Sequence, residues 1–344
     1  FVLQRGAYDA PGEQVEPEVP ACLSPLPGQA PRNRLGLANW LTSAEHPLLA
    51  RVTVNRFWQS LFGRGLVTTP EDFGSQGQLP SHPELLDWLA RTFIDSGWNV
   101  KQLMKTIVMS ATYRQDSDCS EPSRVRDPEN VLLGRGPRYR LPAEMIRDNA
   151  LFCSGLLVEK IGGPAVKPYQ PAGLWKEKSG KVYQRDEGEG SHRRSLYTFW
   201  KRTSPPPAMM TLDAAKRDVC QVKRQTTATP LQALVLLNDP QYIEASRALA
   251  ERVLLAHPDG NVDSCATEMF RRLTSRRPGR EELAILRRLF DEQRQYFAQK
   301  PENAAEFLAV GDHQYNASLD AVQLAAWTAV AETLLNFDET VTFR

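Results

Sequence analysis

The sequence lacks most of the marks from which a function is read directly. Its five cysteines, Cys22, Cys119, Cys153, Cys220 and Cys265, are odd in number and far apart, with no C-x-x-C and no C-x-x-C-H. A zinc knuckle, covalent haem attachment and a dense disulfide scaffold are thereby excluded, while one or two bridges remain open. The histidines His46, His82, His192, His257 and His313 stand singly, without H-x-x-x-H or H-E-x-x-H spacing, so no metal site is expected. No G-x-S-x-G, phosphate-binding G-x-x-x-x-G-K-[ST] or helix-opening G-x-G-x-x-G occurs. Net charge is only +1, which gives no global field to attract nucleic acid or an anionic membrane; no nucleic-acid partner is expected. No apolar run reaches the ~20 residues of a membrane-spanning helix, so no transmembrane segment is expected. The opening FVLQRGAY reads as chain interior, which puts any targeting signal upstream.

What is present is an ordinary globular composition, 41% hydrophobic and 24% charged over 344 residues, long enough to bury about three quarters of its unfolded surface. Periodicity predicts a mainly α, multi-helix globular domain with a small β-hairpin or sheet insertion. Four stretches follow in order: an extended proline-rich arm at 1–46, a helical subdomain at 47–158, a loop-rich part with short strands at 159–212, and a helical C-terminal part at 213–344. The strands are expected near Val182 and along Leu196, Thr198 and Trp200, joined across DEGEGSH. Ser81 with Glu84 reads as a capping box, Asn99 as a second cap, and Ser318 as the cap of the last helix. Glu144, Arg147 and Asp148, at i, i+3 and i+4, read as a surface ion-pair set.

The chain is organised around 213–257. Thr229 before Pro230 is a helix start, since the threonine oxygen accepts from an unpaired N–H and proline suits the first helical position. The helix to Leu237 is apolar on most sides and reads as buried. Asn238-Asp239-Pro240 makes a corner and starts a longer amphipathic helix. Upstream lie Asp213, Arg217, Lys223, Arg224, Thr226 and Thr227. Cations beside a helix start with free N–H groups can hold a carboxylate, sulfate or phosphate; the plainer alternative is a cap with internal Asp–Arg pairing. Secondary candidates are Asn55 and Arg56 on a polar helix stripe, Glu71, Asp72 and His82 in the long loop 64–82, and Arg194 and Trp200 in RRSLYTFWKR. Glu71, Asp72 or Asp213 as acid and base would make a glycan-active hydrolase or lyase the alternative function.

Four stretches carry a family resemblance: RVTVNRFWQSLFGRGLVTTPEDFGSQG, LPSHPELLDWLARTFIDSGWNVKQLMKTIVMSATYRQ, RRSLYTFWKRTSPPP and TPLQALVLLNDPQYIEASRALAER. With the closing AAWTAVAETLLNFDE, the chain resembles the C-terminal domain of unknown function of exported planctomycete proteins that begin with a planctomycete-type cytochrome c domain. The resemblance implies an exported multidomain polypeptide of the periplasm or cell envelope. It implies haem only in a separate N-terminal domain and no cofactor in this chain. Partners would be the other domains of the polypeptide and a polysaccharide. No catalytic residues carry over with it. The sequence-level expectation is therefore an accessory or binding module for an anionic ligand or a partner domain.

Overall fold

A computed structural model of the chain describes residues 1–344, the side chains of Lys178 and Ser179 excepted. It divides into two compact units, Phe1–Pro137 and Arg138–Arg344.

The first unit holds α1 (Arg34–Leu41), α2 (Leu49–Phe62), α3 (Pro83–Asp95), α4 (Val100–Val108) and the short α5 (Glu121–Arg126). Val54, Trp58 and Phe62 of α2 pack against Leu86, Leu89 and Phe93 of α3 and Leu103 and Ile107 of α4, each set at the 3–4 residue spacing of one helix face. Trp58 and Phe62 stack at 4.1 Å. Gly63, at φ 74°, ends α2 in a conformation that a side chain disfavours. Asn55 is buried and clamps the following loop, donating to the Val67 carbonyl at 3.0 Å and accepting from the Val67 amide at 2.9 Å. His82, not Ser81, occupies the start of α3, with no side-chain cap. Ser81 is drawn off by its own backbone bond to Leu66 and by the His82 ring. Asn99 caps α4 as expected.

The second unit contains α6 (Ala143–Ser154), α7 (Leu174–Ser179), α8 (Glu189–His192), α9 (Pro207–Thr211), α10 (Pro230–Asn238) and α11 (Pro240–Ala256). These are followed by α12 (Val262–Thr274), α13 (Arg280–Gln299), α14 (Pro301–Leu308), α15 (Ala321–Leu335) and α16 (Asp338–Val341). Helices α11 and α15 form its centre, with α13 against α15 and α6 against α11. Alanines 245, 250, 325, 326 and 331 are fully buried and let the two central backbones approach closely. Phe290 of α13 stacks on Trp327 of α15 at 4.3 Å. Asp320, not Ser318, caps α15, accepting from the Gln323 amide at 2.8 Å. The five cysteines are all free thiols, and burial pushes the Cys153 and Cys265 thiols up to about 11. None of the described helices is long and apolar enough to cross a membrane.

The fold is mainly α with a minor antiparallel pair, but the pair is not where the aromatic alternation placed it. It joins β1 (Tyr139–Arg140) to β2 (Thr342–Phe343). The stretch 181–187 has no regular structure, and DEGEGSH leads into α8 instead of a hairpin turn. Thr198 and Arg193 make single parallel bridges to Val166 and Val158. The alternation there reflects side chains reaching to loops: Tyr183 donates to the Pro168 carbonyl at 2.7 Å and Tyr197 lies under the Arg193 guanidinium at 3.8 Å.

One core carboxyl lacks a partner. Glu332 on α15 has a buried Oε1 without a hydrogen bond among the described residues, and burial pushes its carboxyl up to about 7. A carboxyl raised above its unfolded value stabilises the fold fully only below about pH 4.3, and this contribution is gone above pH 7. Glu332→Gln is therefore expected to raise unfolding free energy by about 1–3 kcal/mol at pH 8 and to change it little at pH 4. Urea titrations at the two pH values check this.

Candidate ligand-binding site

The sequence candidates fall in both units. In the first, Asn55 is the loop clamp described above, Arg56 and Glu71 are exposed, and Asp72 closes its own turn by accepting from the Gly74 amide at 2.7 Å. His82 contacts Ser81.

The second unit carries the central stretch. Thr229 caps α10, as its sequence predicts, accepting from the Gln232 amide at 3.3 Å. The helix is not buried all round, however. Leu231 and Leu234 are 58% and 55% exposed, whereas Gln232 and Leu236 point inward. The reason lies in Asp213. Its Oδ2 accepts from the Thr227 amide at 2.7 Å, the Thr227 hydroxyl at 2.8 Å and Gln232 Nε2 at 3.1 Å. Gln232 must turn inward to reach it, and this sets the rotation of the whole helix. An internal carboxylate thus already satisfies the donors that precede α10.

The cations divide. Arg224 pairs with Glu144 of α6 at 2.6 Å. The Arg217 guanidinium lies over the Trp200 ring at 4.8 Å, and the Trp200 indole donates to the Lys216 carbonyl at 2.7 Å. Asp213 and Arg217 both sit at positive φ, 65° and 61°, a region sparsely used by residues other than glycine. Lys216, Arg217, Lys223 and Thr226 are exposed. Arg194 is exposed and 3.9 Å from Glu159. The aromatic stretch continues the basic face: Lys201 lies over Trp175 at 4.3 Å and Lys167 over Phe199 at 5.6 Å.

Beside this stretch opens a cleft of about 30 Å³, walled by Pro168, Tyr169, Pro171, Pro206, Pro207 and Met209, with Arg147, Thr198, Asp239, Gln241 and Tyr242 at its polar end. Arg147 is not on the surface. It is 4% exposed and donates to Gln241 Oε1 at 2.9 Å, the Arg193 carbonyl at 2.8 Å, Ser195 Oγ at 3.1 Å and the Ser191 carbonyl at 2.7 Å. Its i+1 neighbour Asp148 is 3.6 Å away and accepts from Ser195, while Glu144 faces Arg224. The expected surface ion-pair set is thus split between interior and rim. Asp239 caps α11 through Oδ1 to the Gln241 amide at 3.0 Å. Burial raises its carboxyl, and the Gln241 amide and Arg147 offset that rise only in part.

Sequence reading missed a second polar centre deeper in this unit. Glu244 of α11 is fully buried, 2.9 Å from His192 Nε2, and accepts from the Asp312 and His313 amides at 2.7 and 2.6 Å. Asp312 in turn forms a two-pronged pair with Arg185 at 2.7 and 2.8 Å. Neither H-x-x-x-H spacing nor any local motif marks these residues. Among the described residues, no group of three or more His, Cys, Asp or Glu side chains is arranged to hold a metal ion.

A family model described as PSD1, protein of unknown function (DUF1553), matches residues 33–290. No curated protein matches the chain, and no solved structure does.

Proposed function

Because the chain belongs to the DUF1553 family, whose description assigns no activity, we propose its role from its own geometry: a binding module that holds an acidic polysaccharide on the loop 213–229 and the adjoining Phe199–Arg202. The observation that carries this reading is the set Lys216, Arg217 and Lys223. All three are exposed, none has a carboxylate within salt-bridge distance among the described residues, and the Arg217 guanidinium lies 4.8 Å from the centre of the Trp200 ring. A guanidinium held over an indole by cation–π attraction keeps N–H donors for a carboxylate or sulfate.

The same loop is braced from behind by Asp213, Thr227 and Gln232, so these residues shape the lip and the cations contact the ligand. The reading extends to the setting implied by the resemblance: an exported polypeptide of the cell envelope, with haem confined to a separate N-terminal domain and the other domains as neighbours. Catalysis by paired carboxylates draws no comparable support, since Asp213 and Asp72 are each held by their own loops.

Thermal melting with sulfated and uronic-acid oligosaccharides is the test. The wild-type chain is expected to be stabilised, with Arg217→Ala and Lys223→Ala each weakening apparent binding about three- to tenfold, the loss of one charge-assisted contact. Equal stabilisation of wild type and both variants would remove the lip from the reading. Release of new reducing ends would replace a binding module with an enzyme.

A further inference from the structure

A cavity of about 270 Å³ lies in the first unit, between the proline-rich arm and α1. The arm is tied down at two points. Arg32 donates to the Pro17 carbonyl at 3.3 Å and to Glu18 Oε2 at 2.7 Å, and the Trp40 indole of α1 donates to the Ser24 carbonyl at 2.7 Å. Pro17, Pro20, Pro25 and Pro27 stiffen the backbone around these ties, so the arm bridges the space instead of collapsing into it. The helix side is equally fixed. A Cβ on Gly36 would meet the Pro31 carbonyl oxygen at 1.8 Å, so the start of α1 is locked against the end of the arm.

The walls are aliphatic, from Pro17, Val19, Leu26 and Leu37, with no aromatic ring on which a sugar could stack. Most polar groups at the rim are engaged. Asn33 Oδ1 accepts from the Leu35 and Gly36 amides at 3.0 and 3.1 Å, and Arg32 is neutralised by Glu18. Arg34 differs. It lines the cavity, has no carboxylate within salt-bridge distance among the described residues, and sits in the first turn of α1, which holds no acidic residue. A cation at that end of a helix opposes the macrodipole and favours a nearby anion. Two guanidiniums against the single Glu18 carboxylate leave the rim positive. The space takes on the order of ten water-sized groups.

We infer that this cavity binds a single-chain fatty carboxylate of about eight to ten carbons, its alkyl chain among Val19, Leu26 and Leu37 and its carboxylate on Arg34. A polar ligand such as a sugar would find the hydrogen-bonding groups of the rim already used. A neutral apolar ligand would fill the space but leave Arg34 uncompensated. Each buried methylene multiplies affinity about fourfold, so chain length is read as steeply as charge. The inference is independent of the polysaccharide reading, because no residue of the loop 213–229 lines this cavity.

Equilibrium dialysis of the full chain against octanoate, hexanoate and 1-octanol, each below the concentration at which it self-associates, is the test. Octanoate is expected to bind saturably at one site. Hexanoate, two methylenes shorter, should bind about tenfold more weakly, and octanol, which lacks the charge, about tenfold more weakly as well. Arg34→Gln should reduce octanoate affinity to that of octanol and leave octanol unchanged. It should melt no lower than wild type, since it removes a cation from the start of α1. Val19→Trp, which fills the cavity from the arm side, should abolish binding of both, whereas Arg126→Ala, an exposed cation on α5, should change neither. Absence of saturable octanoate binding, equal binding of octanoate and octanol, or octanoate binding unchanged in either Arg34→Gln or Val19→Trp would overturn the inference. Tighter binding of an acetylated leucine-rich peptide than of octanoate would also overturn it, in favour of a protein segment.

Discussion

Glu244→Ala is expected to destabilise the second unit by about 3–5 kcal/mol, the cost of removing one partner from a buried ionic cluster. The carboxylate is fully buried and is the shared acceptor of His192, the Asp312 amide and the His313 amide. Without it, the His313 amide and the His192 ring lose their partner, while the Asp312 amide keeps only the Tyr169 hydroxyl at 2.7 Å. The segment between α14 and α15 is most affected, because Arg247 also holds it from α11 by donating to the Leu308, Val310 and His313 carbonyls. Gly311 lies in the same segment at φ 94°, and a Cβ there would meet Glu244 side-chain atoms at 2.7–2.8 Å. The fit between this loop and α11 therefore leaves no room for a side chain.

The same group sets a pH dependence. Burial alone would raise the Glu244 carboxyl, but the hydrogen bonds from His192 and the two amides outweigh it and hold the carboxyl below its usual range. A depressed folded value means that the ionised form stabilises the fold above the unfolded value of about 4.3, and that this stabilisation is lost as pH falls towards the lower folded value. Wild type should thus lose stability on acidification below about pH 4.3. Glu244→Gln, which keeps the shape, should be less stable at pH 7 and show a shallower acid dependence. Urea midpoints between pH 3 and 7 check both statements. A Glu244→Ala protein with wild-type stability at pH 7 would show that the cluster contributes nothing.

Arg147→Ala is expected to cost a similar ~3–5 kcal/mol and, unlike Glu244→Ala, to disturb the cleft. Arg147 is the point where α6 meets the Ser191–Ser195 backbone and α11. Its loss strands the Ser191 and Arg193 carbonyls and frees Gln241 Oε1. Gln241, which lines the cleft, could then rotate. Arg147→Lys keeps the charge but cannot reproduce the forked pattern of donors, so it should recover only part of the stability. Chemical denaturation measures the loss.

Helix punctuation was open to sequence reading because it is local. Thr229-Pro230 and Asp239-Pro240 each set a cap beside the ring that best tolerates the first turn, and both helices start there. Asn99 and Gly63 acted at the positions their chemistry favours. Burial of charge was not legible in the same way. Glu144, Arg147 and Asp148 have one spacing whether the stripe faces solvent or core, and only contacts with residues 44 to 94 positions away decide that Arg147 lies inside. The β pair failed for the same reason, since two two-residue strands from opposite ends of the second unit carry no local pattern. The alternation near Trp200 looked like a strand, but cations and loop carbonyls, not a neighbouring strand, supply the partners of its aromatic residues. For the candidate site, the sequence marked the loop and its cations. It did not mark the cleft, whose residues come from α6, α9, α11 and two intervening loops.

The measurement that tests the account most directly is the affinity of the full chain for sulfated and uronic-acid oligosaccharides, taken by calorimetry at low and high salt with reducing ends assayed in the same samples. Binding that weakens steeply with salt, is reduced by both Arg217→Ala and Lys223→Ala, and releases no new reducing ends is the predicted result. An absence of binding heat at low salt, or binding indifferent to both substitutions, would contradict it.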